Sequence, residues 1–163
     1  MFYLDLFRQL ERQKVRYVLV GGLAMNLHGV PRATMDVDIM VALDEPNLRA
    51  FIDMARALQL KPVAPVPLED LLDPAKRREW AREKNMIAFG LQPLQPGAPT
   101  IDVLIEPALD VNVALQRAQI RNVENTRVFL AAIEDLIYLK ERTGRPQDQA
   151  DIGHLRRLLK RTT

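Results

Sequence analysis

The stretch that decides the fold covers Val20–Val41 and reads VGGLAMNLHGVPRATMDVDIMV. Just before it, Arg16–Val20 is short, aromatic and β-branched, which predicts a buried strand ending at the glycine pair Gly21–Gly22. A short helix is predicted over Leu23–His28. Asp36–Ala42 alternates polar with apolar residues and then becomes wholly apolar, which predicts a second strand entering a core.

Further elements are predicted on both sides of this stretch from helical and strand periodicity. In chain order they are a helix on Tyr3, Leu6, Phe7 and Leu10, a helix capped by Asp44 with Pro46 in its first turn, a proline connector Lys61–Pro67, a charged helix Leu68–Lys84, strands Asn85–Leu91 and Thr100–Ile105, a helix after Asp110, a strand pair near Ile120–Phe129, and two closing helices separated by Gly144 and Pro146.

The alternation of strands and helices predicts an α/β (α+β) class of fold. We expect a small mixed β-sheet with flanking helices and a C-terminal helical pair. A length of 163 residues suits one domain. Within that domain, 1–163, the catalytic sheet and helices would occupy 1–106, and 107–163 would be mostly helical.

The composition excludes several classes of protein. Cysteine is absent, which excludes disulfide frameworks, thiolate zinc sites and cysteine nucleophiles. The net charge of +2, from 23 basic and 21 acidic residues, does not by itself indicate a polyanionic partner. No basic leader and no run of about 18 apolar residues is present, so we expect a cytoplasmic protein without a membrane partner.

Three carboxylates have the spacing of a metal site. Asp36 and Asp38 would leave one face of a strand about 6.6 Å apart, and a cation between them would relieve their repulsion. Asp102, in TIDVLIE, faces away from its apolar neighbours and is the third ligand, with Glu106 in reserve. Oxygen ligands of this kind suit Mg²⁺ or Mn²⁺. The alternative is a structural role, in which DVD merely begins a surface strand.

Two features could meet phosphate. Gly21–Gly22 lies between a strand and a helix, where backbone N–H groups approach phosphate oxygens closely, although a glycine pair alone is often a turn. Lys140 falls on the apolar stripe of its helix and needs an anionic partner. That partner is either an internal aspartate, Asp148 or Asp151, or a triphosphate, with Arg145 assisting.

The segment Val20–Val41 resembles the signature of the DNA polymerase β-like nucleotidyltransferase superfamily, a double glycine, a short helix and then acid-x-acid on a strand. Its fuller form, with His28, Gly29, Arg32 and Thr34, most resembles the bacterial AbiEii and MenT type branch of toxin-like nucleotidyltransferases. KNMIAFG, IDVLIE and DLIYLKERTGRPQDQADIGHL are similar to that branch as well, so the resemblance spans most of the chain.

The resemblance implies nucleotidyl transfer from a nucleoside triphosphate with release of pyrophosphate. It implies that Gly21 and Gly22 meet the triphosphate, and that two Mg²⁺ (or Mn²⁺) ions are bound by Asp36 and Asp38. Asp102 would bind one ion and help to activate the acceptor hydroxyl. The usual second-position serine is glycine here, which removes one hydroxyl contact to phosphate.

Other residues near the signature have weaker assignments. Arg32 and Thr34 either contact phosphate or brace the turn before the metal strand. His28 is interpreted as structural, since a histidine at a helix end followed by glycine commonly caps or packs. Trp80 and the basic residues around it either touch a nucleic acid or form a solvated helix face.

The acceptor stays open among tRNA, a protein hydroxyl and a small molecule such as an antibiotic. The basic clusters Lys76–Lys84 and Arg156–Arg161 favour RNA slightly. The toxin-like branch implies an antitoxin protein as a partner. The alternative function is a non-catalytic, nucleotide-binding regulatory module with the same fold.

Overall fold

The computed structural model describes residues 2–33, 36–83, 88–105 and 109–162. Within these ranges the chain forms a seven-stranded mixed sheet with seven α-helices, so the predicted fold class is confirmed. None of these helices is long and apolar enough to span a membrane.

The strands are β1 (Tyr17–Val20), β2 (Val37–Val41), β3 (Lys61–Pro62), β4 (Ala88–Gln92), β5 (Ile101–Leu104), β6 (Gln119–Val123) and β7 (Thr126–Leu130). The α-helices are α1 (Phe2–Arg12), α2 (Gly21–Leu27), α3 (Glu45–Ala57), α4 (Pro74–Glu83), α5 (Val111–Arg117), α6 (Ile133–Thr143) and α7 (Pro146–Thr162). A 3₁₀ helix, Leu68–Leu72, precedes α4.

The sheet has the order β3-β4-β5-β2-β1-β7-β6. β2 runs parallel to β5 and β1 runs parallel to β7, while the other neighbours are antiparallel. All four residues of β1 are buried. A strand covered on both faces requires a continuous apolar sequence, which explains the run YVLV at the centre of the sheet.

Several boundaries differ from the predictions. The short helix begins at Gly21 and not at Leu23, so the glycine pair opens the helix directly after β1. Asp36 lies before β2 and is exposed, because the hydrogen-bonded ladder begins at Val37. The proline connector contributes the edge strand β3, and an edge position tolerates Pro62.

The predicted helix Leu68–Lys84 is divided at Asp73. The Asp73 carboxylate accepts a hydrogen bond from the backbone N–H of Ala75 at 2.9 Å, and Pro74 begins α4. An aspartate followed by proline is a favoured helix start. The first residues of the predicted strand, 85–87, lie outside the described residues.

The region after residue 109 contributes to the sheet as well as to the helices. β6 and β7 form a hairpin, and β7 lies beside β1 with Leu130 opposite Leu19. α6 ends at Gly144, which has a φ of 65°, and α7 begins at Pro146. The predicted order of a glycine stop and a proline start is therefore confirmed.

The predicted surface role of Trp80 is wrong. Its side chain is buried and stacks on Phe89 of β4, with ring centroids 5.2 Å apart. Arg77, also buried, donates a hydrogen bond to the carbonyl of Leu71. Trp80 therefore packs α4 against β4. It does not lie on a solvated face of the helix, and its ring is not available to stack on a base.

Candidate active site

A row of register partners crosses four neighbouring strands. Val20 of β1 lies opposite Asp38 of β2, Asp38 lies opposite Asp102 of β5, and Asp102 lies opposite Gly90 of β4. Direct partners in a sheet point to the same face. The pairing of β2 with β5 therefore brings together two acids that are distant in sequence, and it places a glycine-containing strand on the outer side of Asp102.

The carboxyl groups of Asp38 and Asp102 share a hydrogen bond. Burial raises the pKa of Asp38 to about 6, and the negative charges of Asp102 and Asp36 act in the same direction. Burial also raises the pKa of Asp102, as does the charge of Asp36, while the hydrogen bond from Asp38 opposes that rise. The two acids therefore carry charge that their buried surroundings disfavour.

Asp36 contributes to this site through its charge, from an exposed position before β2. Among the described residues, no group of three or more acidic or histidine side chains is close enough to hold a metal ion. Asp36 directly precedes the first residue of β2, and its charge acts on both Asp38 and Asp102. Glu106, the reserve ligand, lies outside the described residues.

Gly21 lies against the carboxylate of Asp38. A Cβ atom at Gly21 would stand 2.2 Å from Oδ2 of Asp38, and the φ of Gly21 is +71°. Both conditions require glycine, since a side chain would collide and the conformation is unfavourable for other residues. Gly22 follows in the first turn of α2 and is buried. Glycine at position 21 is thus required both by the close approach of Asp38 and by the backbone conformation of the turn.

Lys140 has aspartate partners. Its Nζ lies 2.9 Å from Oδ2 of Asp151 and 3.8 Å from Oδ1 of Asp148. Arg32 reaches the same Oδ2 of Asp151, with Nη1 at 2.6 Å. The internal ion pair that the sequence left open is present, and it joins α6, α7 and the segment before β2.

This ion cluster, comprising Arg32, Lys140, Arg145, Asp148 and Asp151, lies beside the acids. Lys140 lowers the pKa of Asp38 through its charge, and the charge of Asp38 contributes to the raised pKa of Arg145. The Nε of Arg32 is buried with no hydrogen-bond partner among the described residues. Arg145 pairs with Asp148 at 3.0 Å, yet its side chain is 66% exposed.

The remaining predicted residues are placed as follows. His28 is buried, and its Nε2 donates to the carbonyl of Ala131 at 2.8 Å. Burial lowers its pKa, so the ring is held neutral, in keeping with the structural role inferred from the sequence. Thr34 lies outside the described residues.

The sequence analysis missed an open cleft beside Asp102. Its volume is about 380 Å³. It is lined by Val63, Ala64, Ala88, Phe89, Gly90, Gln92, Thr100 and Asp102. The signal that could have found it is Gly90, because an isolated glycine within a strand often marks the close approach of another group.

The sequence matches no family profile and no curated protein. It is similar in structure to several solved proteins. The lincosamide antibiotic adenylyltransferase LnuA, bound to lincomycin, gives a TM-score of 0.58 at 16% identity, covering 96% of this chain and 94% of that one. An antigenic nucleotidyltransferase-like protein from Paracoccidioides brasiliensis gives a TM-score of 0.57 at 16% identity. The match covers 94% of this chain and 71% of that one.

ANT(2″)-Ia in complex with adenylyl-2″-tobramycin gives a TM-score of 0.54 at 12% identity, covering 94% of this chain and 84% of that one. At such identities a likeness establishes the fold alone. The chain therefore has the nucleotidyltransferase fold over nearly its whole length.

Proposed function

We propose that this protein is a metal-dependent nucleotidyltransferase, which moves a nucleoside monophosphate from a nucleoside triphosphate to a hydroxyl group and releases pyrophosphate. The observation that carries the proposal is the contact between Asp38 and Asp102 on one sheet face of this fold. Paired acids in electrostatic conflict, beside a glycine turn and cationic side chains, are typical of a catalytic site.

The acids suit Mg²⁺ or Mn²⁺ as a cofactor. Carboxylate oxygens are hard ligands, and two of them in contact with a third negative charge nearby hold more negative charge than the protein alone neutralises. Asp36, Asp38 and Asp102 would hold the two ions. Bound divalent ions neutralise phosphate charge and stabilise the attacking and leaving oxygens.

The triphosphate would lie on the β1 side of the acids. Gly21 and Gly22 present backbone N–H groups there, with no side chain to obstruct a phosphate. Lys140 and Arg32 supply positive charge that Asp151 holds in place. Arg145, whose side chain is 66% exposed, would add a further cation, and Thr34 is another candidate from the sequence.

Asp102 would orient the acceptor and take up its proton. In the reaction the acceptor oxygen bonds to the α-phosphorus, and the bond between the α-phosphorus and its bridging oxygen breaks. The electron pair of that bond leaves with pyrophosphate, and the hydroxyl proton passes to Asp102. Asp102 suits this role because it borders the open cleft.

The identity of the acceptor and the biological role belong to this proposal too. LnuA and ANT(2″)-Ia were solved with lincomycin and adenylyl-2″-tobramycin, which favours a small-molecule acceptor. The sequence resemblance to the toxin-like branch favours tRNA or protein, with an antitoxin as partner. Nucleoside triphosphates as substrate would agree with the cytoplasmic location expected from the sequence.

A label-transfer assay tests the proposal. The protein would be incubated with each of the four α-³²P-labelled nucleoside triphosphates, Mg²⁺ or Mn²⁺, and separate RNA, protein and low-molecular-weight fractions of a bacterial extract. We expect label on one fraction with equimolar pyrophosphate, and none with Asp38→Asn. Nucleotide binding without transfer to any fraction would instead support the regulatory module.

A further inference from the structure

We infer that the acceptor is a small uncharged or cationic alcohol bound in the cleft beside Asp102, and not a polyanion such as RNA. The inference rests on the proposed function and names its second substrate. It is carried by the position of the cleft, by the chemistry of its lining and by the partners of the basic residues that would otherwise serve RNA.

The cleft lies on the far side of the acids from the glycine turn. Gly21 follows Val20 of β1 and lies against Asp38, at one end of the row of paired residues. Gly90 of β4 pairs with Asp102 at the other end. A Cβ on Gly90 would stand 3.4 Å from Oδ1 of Asp102 and 3.2 Å from Cγ2 of Val63. The absence of a side chain at Gly90 therefore leaves the carboxylate and the cleft wall facing one another.

The lining of the cleft suits a neutral molecule. Val63 gives it an apolar wall and is 55% exposed, which is high for a valine and leaves apolar surface for a ligand. Gln92 and Thr100 add groups that donate and accept hydrogen bonds. The one charged residue in the described lining is Asp102, so this part of the lining offers a phosphate-rich acceptor no cationic side chain.

The volume agrees with the same class of acceptor. Clefts of roughly 300–1,000 Å³ are typical of small-molecule sites, and this one is about 380 Å³. Such a cleft accommodates one or two rings.

Three of the basic residues that favoured RNA have partners within the protein. On α4, Lys76 pairs with Asp70 at 3.0 Å, and Arg77 is buried with its guanidinium on a backbone carbonyl. On α7, Arg156 pairs with Glu141 at 3.2 Å. A surface that binds RNA needs its cations available for phosphate, so these clusters give less support to RNA than their sequences suggest.

The test compares two exposed apolar positions. Val63→Trp fills the cleft, whereas Leu94→Trp places the same side chain at a position of equal exposure, 56%, outside the lining. Gln92→Trp fills the cleft from an exposed site and serves if Val63→Trp fails to fold. Each variant is assayed for triphosphate binding and for transfer from labelled nucleotide to total tRNA and to the low-molecular-weight fraction, with mass spectrometry of the product.

We expect label on a low-molecular-weight acceptor without phosphate, and at least a tenfold loss of transfer in Val63→Trp or Gln92→Trp. Nucleotide affinity should stay within twofold, and Leu94→Trp should match the parent. Transfer to tRNA or to a phosphorylated acceptor would overturn the inference and uphold the transferase. Nucleotide binding with no transfer to either pool would overturn both.

Discussion

Two groups of charge in this protein are built in opposite ways. In the carboxylate pair, burial and the charges of Asp102 and Asp36 raise the pKa of Asp38, and burial and the charge of Asp36 raise that of Asp102. In the ion cluster, the buried acids Asp148 and Asp151 are matched by Lys140 and by neighbouring arginines. The first group costs stability in the free protein, and the second group stabilises the packing of α6 on α7.

The carboxylate pair and the ion cluster thus differ in whether the protein itself balances their charges. Neutral residues would avoid the electrostatic cost on the same strands, so the pairing of Asp38 with Asp102 supports the proposal that this site binds a cation. The ion cluster, by contrast, serves folding without any ligand. Its cations nevertheless act on Asp38 through their charge, and a bound triphosphate would compete with Asp151 for them.

The substitution Asp38→Asn should distinguish the two groups most clearly, because it removes a charge from the carboxylate pair alone. We expect transfer to fall on the order of a thousandfold, about 4 kcal/mol of activation free energy, while the melting temperature stays equal or rises because a like charge is removed. Asp53→Asn, at an exposed position of α3, is the control and should change neither quantity. A marked fall in stability with Asp38→Asn would show that the acid serves the core.

The converse change is Asp151→Asn. Removing the charge leaves the buried Lys140 and the partly buried Arg32 without their shared anion, so we expect the free energy of unfolding to fall by about 3 kcal/mol. Glu141→Gln, which breaks an exposed pair with Arg156, should cost less than about 1 kcal/mol. Both are measured by urea denaturation.

The same variant tests whether these cations serve the triphosphate. With Asp151 neutral, Arg32 and Lys140 lose their shared carboxylate, and Lys140 keeps only Asp148 at 3.8 Å. The rise in melting temperature on adding triphosphate and Mg²⁺ should therefore be larger in Asp151→Asn than in the parent. A smaller rise would mean that Asp151 is needed to orient the cations.

Gly21→Ala tests the contact between the turn and the acid. The methyl group would meet Oδ2 of Asp38, and the positive φ adds strain of about 1–2 kcal/mol. We expect a lower melting temperature together with a loss of transfer of about tenfold or more. Gly153→Ala in α7, where a Cβ meets a single side-chain atom at 3.7 Å, should leave activity unchanged and stability equal or higher.

The smallest expected effect is the loss of stability at low pH when Asp148 is protonated. Burial alone would raise its pKa, but hydrogen bonds from Arg145 and Thr143 hold the pKa at about 2. The unfolded chain binds this proton near 3.8, so the contribution is present above pH 4 and is lost as the pH falls to 2. We expect roughly 1–2 kcal/mol from this source.

The measurement is the free energy of unfolding between pH 2 and pH 5 for the parent and for Asp148→Asn. The two curves should converge toward pH 2 and separate above pH 4. Parallel curves over that range would contradict the assignment of the low pKa to Asp148.

Much of the fold could be predicted because its signals are local. The caps at Asp44 and Asp110 accept hydrogen bonds from backbone N–H groups of their own helices, within three residues. The period-two pattern around Asp102 put this acid on the opposite side of its strand from Ile101 and Val103, and the burial of β5 confirms it. Such features depend on neighbouring residues and hardly on the rest of the chain.

Other parts could not be predicted, since they depend on remote partners. Trp80 is buried against Phe89 of β4, and the sequence does not specify which strand lies beside β4. Asp36 was expected to begin the strand, but the ladder with β5 begins at Val37. The cleft depends on β3 and β4 lying beside β5, an arrangement set by hydrogen bonds between distant segments.

Local sequence patterns identified the candidate site residues: a glycine pair after a strand, acids on two strands, and a lysine on an apolar helix face. The tertiary structure alone decided their neighbours: Asp38 against Asp102, Lys140 with Arg32 on Asp151, and the cleft beside Gly90. The physical reason is that periodicity and capping act over a few residues. The electrostatic energy of a charge depends on whichever group the folded chain places beside it.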